Sequence, residues 1–219
     1  MKNRDSIPEA TVERLPLYYR YLDKLLLFEN IEVVSSKELG GKLGIAPTQV
    51  RKDLSYYGEF GRRGVGYDVQ ELKKSLGKIL GVDKMRPAVL VGAGNLGTAL
   101  VNYKGFQKMG LNICCVLDDD PDKIGQEVAG IGIEGTEKMA DFISAKGIKV
   151  GIISVPAGAA QDVADKLVEA GIKAIWNFAP TRLYVPDGVI VRNEDLAVGI
   201  VSLIYHLSEA EEQQQQSES

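Results

Sequence analysis

The stretch Gly92-Ala93-Gly94-Asn95-Leu96-Gly97 combines residue type and spacing in a way that points to specific chemistry. It is a G-x-G-x-x-G motif directly after the apolar run Val89-Leu90-Val91, with a helix predicted over Thr98 to Tyr103. In that setting the first glycine permits a tight turn and the second lets backbone approach a pyrophosphate. The third lets helix and strand pack closely, and the phosphate charge falls on the helix N-terminal amides. The chain has 24 glycines, so a chance match has to be weighed. A second apolar run, Ile113 to Leu117, ends in Asp118-Asp119-Asp120, roughly 20 residues past the last glycine, where a ribose-binding acid belongs. Asp118 is the predicted acceptor for the ribose hydroxyls, with Asp120 and Lys123 beside it. A carboxylate there repels a 2′-phosphate and no Arg follows it immediately, so the expected coenzyme is NADH or NAD+ rather than a phosphorylated form. The alternative is a nucleotide-free α/β turn with a solvated acidic loop.

A dehydrogenase would also need a proton donor or acceptor beside the coenzyme. The one histidine, His206, falls in the last predicted helix, where a packed or surface role is expected. No Ser-x-x-x-Lys arrangement accompanies Tyr103 and no metal-ligand cluster is present, so no catalytic or metal-binding residue is assigned. Cys114 and Cys115, adjacent in a predicted strand, should face opposite ways and read as small hydrophobes of a reducing compartment. Ser154, Val155 and Pro156, and Asn177, Phe178, Ala179 and Pro180, sit at the ends of two later strands and are candidates to line the nicotinamide half. Each is equally an ordinary turn after a strand. The pattern suits binding and reporting rather than turnover; the rivals are a small NAD-dependent oxidoreductase and a nucleotide-binding scaffold without DNA.

Periodicity supplies the elements that must hold these residues. From residue 85 to 192 strands alternate with helices: Thr136 to Ala145 helical, Ile148 to Val155 extended, Ala157 to Ala170 helical, then strands at Ala174 to Trp176 and Val189 to Val191. This is the pattern of an α/β Rossmann domain, a doubly wound parallel sheet whose ligand lies outside the strand C-termini. A last helix from Asp195 to about Ser208 (segment 193–211) carries Leu196, Ile200, Leu203, Ile204 and Leu207 on one side and must dock on its own core or a partner subunit. Residues 212–219 read as a disordered tail.

Residues 1–84 have a different pattern. One helix carries Leu15, Tyr18, Leu22 and Leu25; a second starts at a Ser35/Glu38 capping box and ends by Gly44; a third runs from Pro47 through Tyr57. The tight connection between the last two predicts a helix-turn-helix, its core at about 17–56. Val50, Leu54 and Tyr57 share the buried face of the third helix. Gln49, Arg51, Lys52, Ser55 and Tyr56 project the other way, with groups that reach phosphates and base edges. Gly58 to Tyr67 is glycine-rich and carries Arg62 and Arg63, suiting a hairpin wing; the plain readings are a solvated helix face and a flexible turn or phosphate nest. Asp68 to Leu80 forms a connecting helix. The net charge of −4 is split, +3 over residues 1–85 and −7 over 86–219, as two modules with different partners would have it. No apolar run is long enough for a membrane span and MKNRDSIPEA has no apolar signal core, so no membrane partner and a cytoplasmic location are expected.

Taken together, these stretches resemble the Rex family of redox-sensing transcriptional repressors over almost the whole chain. The resemblance is carried by Pro8-Glu9-Ala10-Thr11, Val50-Arg51-Lys52-Asp53-Leu54-Ser55-Tyr56-Tyr57-Gly58, Arg63-Gly64-Val65-Gly66-Tyr67, the glycine motif, Tyr103-Lys104-Gly105-Phe106 and Asn177-Phe178-Ala179-Pro180. It implies a homodimer with an N-terminal winged helix, an NAD(H)-binding Rossmann domain and a C-terminal domain-swapped helix. It also implies double-stranded operator DNA with an inverted repeat, bound when NADH is low and released when NADH closes the dimer. By the same resemblance Arg51 and Lys52 belong to the recognition helix and Arg62 and Arg63 to the wing. Tyr103 lies near the nicotinamide, Asp195 and Leu196 start the swapped helix, and Arg20 joins the Asp and Tyr as a switch cluster. Some members carry Phe at the position of Leu196, which leaves the strength of NADH discrimination open.

Overall fold

The computed structural model describes residues 7–62 and 64–217, in two compact units, Met1–Lys84 and Met85–Ser219. In the first unit α1 (Glu9–Lys24) continues into a π-helical turn, Leu25–Glu29, that stops at Asn30 in the left-handed conformation. Then come β1 (Val33–Val34), α2 (Ser36–Gly41), α3 (Pro47–Ser55), β2 (Gly61–Arg62), β3 (Gly66–Asp68) and α4 (Val69–Leu80). The strands make an antiparallel sheet in the order β1-β3-β2. Ser35 caps α2 reciprocally: its Oγ accepts from the Glu38 amide at 3.1 Å while its own amide donates to Glu38 Oε2 at 2.8 Å. A Cβ on Gly40 would stand 2.2 Å from the Ile45 carbonyl oxygen, so only glycine lets α2 and α3 meet at this turn. Helix α2 ends at Gly41, within the predicted limit of Gly44, and α3 stops at Ser55, two residues short of the predicted Tyr57. Leu15, Tyr18, Leu22, Leu39, Val50, Leu54 and Leu72 form one core. This is a winged helix-turn-helix.

The second unit runs β4 (Arg86–Val91), α5 (Asn95–Asn102), α6 (Gly105–Lys108), β5 (Leu111–Asp118), β6 (Glu127–Val128), β7 (Ile131–Gly135), α7 (Met139–Lys146), β8 (Val150–Ile153), α8 (Ala157–Glu169), β9 (Ala174–Asn177), β10 (Ile190–Asn193) and α9 (Leu196–Ser217). The sheet order is β10-β9-β8-β4-β5-β7-β6, parallel except for the β6 edge. The chain leaves β4 for β5 on one side and later returns to β8 on the other, so the switch point lies between β4 and β8. Alternate residues of β4 feed two cores. Val89 and Val91 pack under α7 and α8; Ala88 and Leu90 pack toward α5 and α6.

Three local expectations change. Helix α5 begins at Asn95, three residues before Thr98, because Gly94 already serves as its cap. The β4–β5 register shifts between Ala88 and Val89, opposite Cys114, and this irregularity lets Cys114 pack against the same core as Cys115 instead of facing away. Both remain free thiols, and burial pushes the Cys115 thiol up to about 11, which makes it a poor nucleophile. Lastly, α9 continues through the glutamine run to Ser217, where a disordered tail from residue 212 is predicted; Glu and Gln are good helix formers. Every side chain of α9 from Leu196 to Gln214 is exposed, Leu196, Ile200 and Leu203 among them.

Candidate nucleotide and nucleic-acid interfaces

The glycine loop leaves β4 at the switch point. Gly92 has φ +103°, and a Cβ there would stand 2.6 Å from the Ser154 carbonyl oxygen. A Cβ on Gly97 would stand 1.9 Å from the Gly92 carbonyl oxygen, so the strand–helix approach admits nothing larger. Gly94 differs: a Cβ there would meet nothing within 4 Å, so the protein itself does not require glycine at this position. That open space at the cap of α5, beside the first-turn residues Asn95 and Leu96, fits an anionic phosphate. Ser154, a candidate from its place at a strand end, ties the loop to β8 by donating from Oγ to the Gly92 carbonyl at 2.9 Å. Its neighbours Val155 (half-buried) and Pro156 (exposed, capping α8) stand on the same rim.

Asp118 ends β5 buried. Its Oδ2 accepts from the Ala93 amide at 2.6 Å and from Lys123 Nζ at 3.2 Å, and its Oδ1 from the Asp120 amide at 2.9 Å. Burial pushes this carboxyl up, but the bonds from Asp120, Ala93 and Lys123 outweigh it and hold the group below the usual range. Lys123 also lies 3.4 Å from Asp120 Oδ2. The acid thus clamps the glycine loop to the acidic loop, and Oδ1, accepting a single bond, retains a lone pair for a ligand hydroxyl.

The candidates around the nicotinamide half divide. Tyr103, 54% exposed, packs edge-on to Phe106 at 4.8 Å between ring centroids; Phe106 meets Trp176 at 5.4 Å, and Trp176 meets Phe178 at 4.7 Å. Tyr103 and Phe178 therefore close the two ends of one aromatic row. Gly105 allows the tyrosine to lie there, since a Cβ would press within 2.4 Å of its ring. Asn177 is wholly buried and consumed by the protein. Its Nδ2 donates to the Ala179 and Thr181 carbonyls and to Asn193 Oδ1, and its Oδ1 accepts from the Ala179 amide. It shapes the loop that holds buried Ala179. Asp195 lines a cavity of about 400 Å³ with Ala179, Arg182 and Asn193, and its Oδ1 accepts from the Ala197 amide at 2.8 Å, capping α9. Among the described residues no hydrogen bond joins Tyr103 to Asp195. Arg20 is exposed on α1, in the first unit, so the switch cluster is not assembled within either unit.

In the first unit a groove of about 670 Å³ lies between α3 and the β2–β3 hairpin, lined by Ser36, Arg51, Ser55, Gly58, Arg62 and Tyr67 among others. Arg51 is steered along it by a 2.9 Å bond to Ser36 Oγ; Lys52 and Arg62 are exposed, Tyr56 is half-buried, and Ser55 donates back to the Lys52 carbonyl. Arg63 lies outside the described residues. Gln49 does not project freely as predicted: it is half-buried, with Nε2 donating to Asp53 Oδ1 at 2.8 Å.

Asp53 is the residue that sequence reasoning missed. It is fully buried, held by Arg14 at 2.6 and 2.7 Å, by Tyr18 at 2.7 Å and by Thr11 at 3.0 Å, besides Gln49. The bonds pin α3 to α1. Burial alone would raise its carboxyl, yet the hydrogen bonds from Arg14, Tyr18, Gln49 and Thr11 bring it down to about 2. A depressed carboxylate contributes stability that is complete above its unfolded value and lost as pH falls through the folded one. Acid titration followed by circular dichroism should therefore show the first unit weakening between about pH 4 and pH 2, and Asp53→Asn should lose that step.

A winged helix-turn-helix followed by a doubly wound sheet with a phosphate-type glycine loop makes this a DNA-binding protein with a Rossmann-type second unit. A family model described as "CoA binding domain" matches residues 83–181, and one described as "Putative DNA-binding protein N-terminus" matches residues 6–55. The redox-sensing transcriptional repressor Rex of Syntrophomonas wolfei is 48% identical over 202 residues, 92% of this chain and 96% of that protein. The Streptomyces avermitilis repressor of the same name is 48% identical over 200 residues, 91% of this chain and 79% of that one. Two solved structures of the repressor RSP are similar. The complex with β-NAD+ and operator DNA has a TM-score of 0.88 at 41% identity, covering 97% of this chain and 98% of that one; the β-NADH complex has 0.86 at 40%, covering 96% and 98%. The chain belongs to the Rex family of redox-sensing transcriptional repressors.

Proposed function

We propose that this chain is a repressor that binds an inverted-repeat operator as a homodimer and releases it when NADH binds, so that occupancy follows the NADH/NAD+ ratio. The observation that carries the reading is that one chain holds both a basic groove between recognition helix and wing and a glycine loop left open at Gly94 and clamped by Asp118. The related RSP, crystallised with operator DNA and β-NAD+ and with β-NADH, supports it.

In this reading Gly92, Gly94 and Gly97 let the loop backbone face a pyrophosphate, with Ala93, Asn95 and Leu96 at the helix start. Asp118 and Asp120 take ribose hydroxyls and Lys123 steadies them. Val155, Pro156, Phe178 and Ala179 line the nicotinamide half, with Asn177 holding that wall in shape. When bound, the coenzyme supplies a pyrophosphate and a nicotinamide that is cationic in NAD+ and neutral in NADH. Arg20, Tyr103 and Asp195 read that charge across the dimer. The exposed apolar helix α9 crosses to the partner subunit, bringing Leu196 over the ring. Residues 1–84, 85–192 and 193–211 serve as operator-binding, coenzyme-binding and dimerisation parts of a cytoplasmic regulator. The coenzyme is a signal here and no turnover is expected.

Two recognition helices must meet half-sites about 34–36 Å apart, or a multiple of a helical turn. Rotating the units discards one half-site, and reversing a 1:99 balance takes about 5.5 kcal/mol of preference, shared between two coenzymes per dimer. The test is a fluorescence-anisotropy titration of operator DNA with and without NADH. Release by NADH but not by equal NAD+ is expected; undiminished operator binding at saturating NADH sinks the reading, and steady loss of NADH absorbance with a substrate would favour an oxidoreductase. Arg51→Ala and Arg62→Ala should each weaken operator binding by roughly 10-fold while NADH affinity, followed by calorimetry, stays the same.

A further inference from the structure

Gln49 and Asp53 stand one helical turn apart on α3, and the direction of the bond between them has a chemical consequence. Asp53 is buried and ionised, and an ionised carboxylate can only accept. The end of the Gln49 amide that meets it must therefore be the NH2. Oε1 is directed away; among the described residues it has no partner, and it is not buried. Gln49 lies in the first turn of α3, behind the Ala46 cap and Pro47. That turn is the part of a recognition helix that meets base edges.

We propose that Asp53 is a positioning residue for sequence reading: it fixes the Gln49 amide with its carbonyl outward, so that Gln49 selects a base bearing an exocyclic amino group. The inference rests on the operator-binding reading above. In the major groove adenine N6 and cytosine N4 donate, whereas guanine O6 and thymine O4 only accept; every pair holds one of each, so an outward carbonyl oxygen selects which strand carries the amino group at the position it faces. Asp53 itself never reaches the DNA.

The experiment is selection of the full-length protein on duplexes with randomised half-sites, followed by sequencing of the bound pool. The wild type should show one position per half-site where an amino-bearing base is preferred by roughly 10-fold. Gln49→Ala should flatten that position and leave the others unchanged. In Asp53→Asn the new carboxamide can donate to Gln49 Oε1, so the amide can turn its NH2 outward and the preference should level or invert, with the keto-bearing base now on the strand that Gln49 faces. Should Asp53→Asn fail to fold by its melting curve, the Gln49→Ala profile decides. The inference is overturned if Gln49→Ala keeps every wild-type preference, if replacing the amino-bearing base at the flattened position by an analogue without the exocyclic amino group (purine for adenine, 2-pyrimidinone for cytosine) costs no affinity, or if folded Asp53→Asn keeps the wild-type choice. A wild type that enriches no sequence overturns the repressor reading itself, and this inference with it.

Discussion

Gly94→Asp should lose NADH binding by more than about 100-fold while unfolding at the wild-type temperature or slightly above it. The two halves of that expectation have separate causes. Gly94 has φ −76° and ψ −170°, extended backbone open to any residue, and a Cβ there meets no protein atom within 4 Å. Aspartate is also a better helix cap than glycine, by a few tenths of a kcal/mol, and its charge suits the N-terminus of α5. The same carboxylate would stand where a pyrophosphate must sit. Two like charges about 4 Å apart repel by about 4 kcal/mol at an effective dielectric constant of 20, which exceeds a 100-fold loss. The control is Gly97→Ala, whose methyl would press on the Gly92 carbonyl oxygen at 1.9 Å, so folding and binding should fall together. Paired melting curves and calorimetric titrations check both variants. A Gly94→Asp protein that still binds NADH tightly would remove the glycine loop from the coenzyme site.

Asp53→Ala is expected to destabilise the first unit by roughly 3–5 kcal/mol, the range for removing one partner of a buried ion pair. Buried Thr11 and Tyr18, and Arg14 beside them, would be left facing a cavity with no acceptor. For a unit of this size the midpoint should drop by more than about 10 °C. Differential scanning calorimetry reads it directly, with the transition of the second unit as an internal reference that should not move. A drop of under about 2 °C would mean that α1 and α3 are held by apolar packing alone.

Both expectations concern groups whose roles differ in how local they are. The spacing of Gly92, Gly94 and Gly97, the acid at the end of β5, the Ser35/Glu38 cap and the switch in periodicity near residue 85 can be read from the sequence because each depends on neighbours a few residues away. Hydrophobic period and turn chemistry were enough to infer a winged helix ahead of a doubly wound sheet. Contacts between distant segments were not readable in the same way. Asp53 looks like one more polar residue on a basic helix until α1 brings Thr11, Arg14 and Tyr18 against it from 35 to 42 positions away. Gln49 follows Asp53 inward for that reason. Asn177 reads as a ligand contact until the loop and β10 use up its hydrogen bonds. The sequence by itself determined the two units and their main elements and marked the stretches proposed to meet a phosphate and a nucleic acid, since chain geometry and charge are local properties. Only the tertiary structure decided which polar side chains remain free to meet them, because burial and hydrogen-bond satisfaction depend on segments that folding alone brings together.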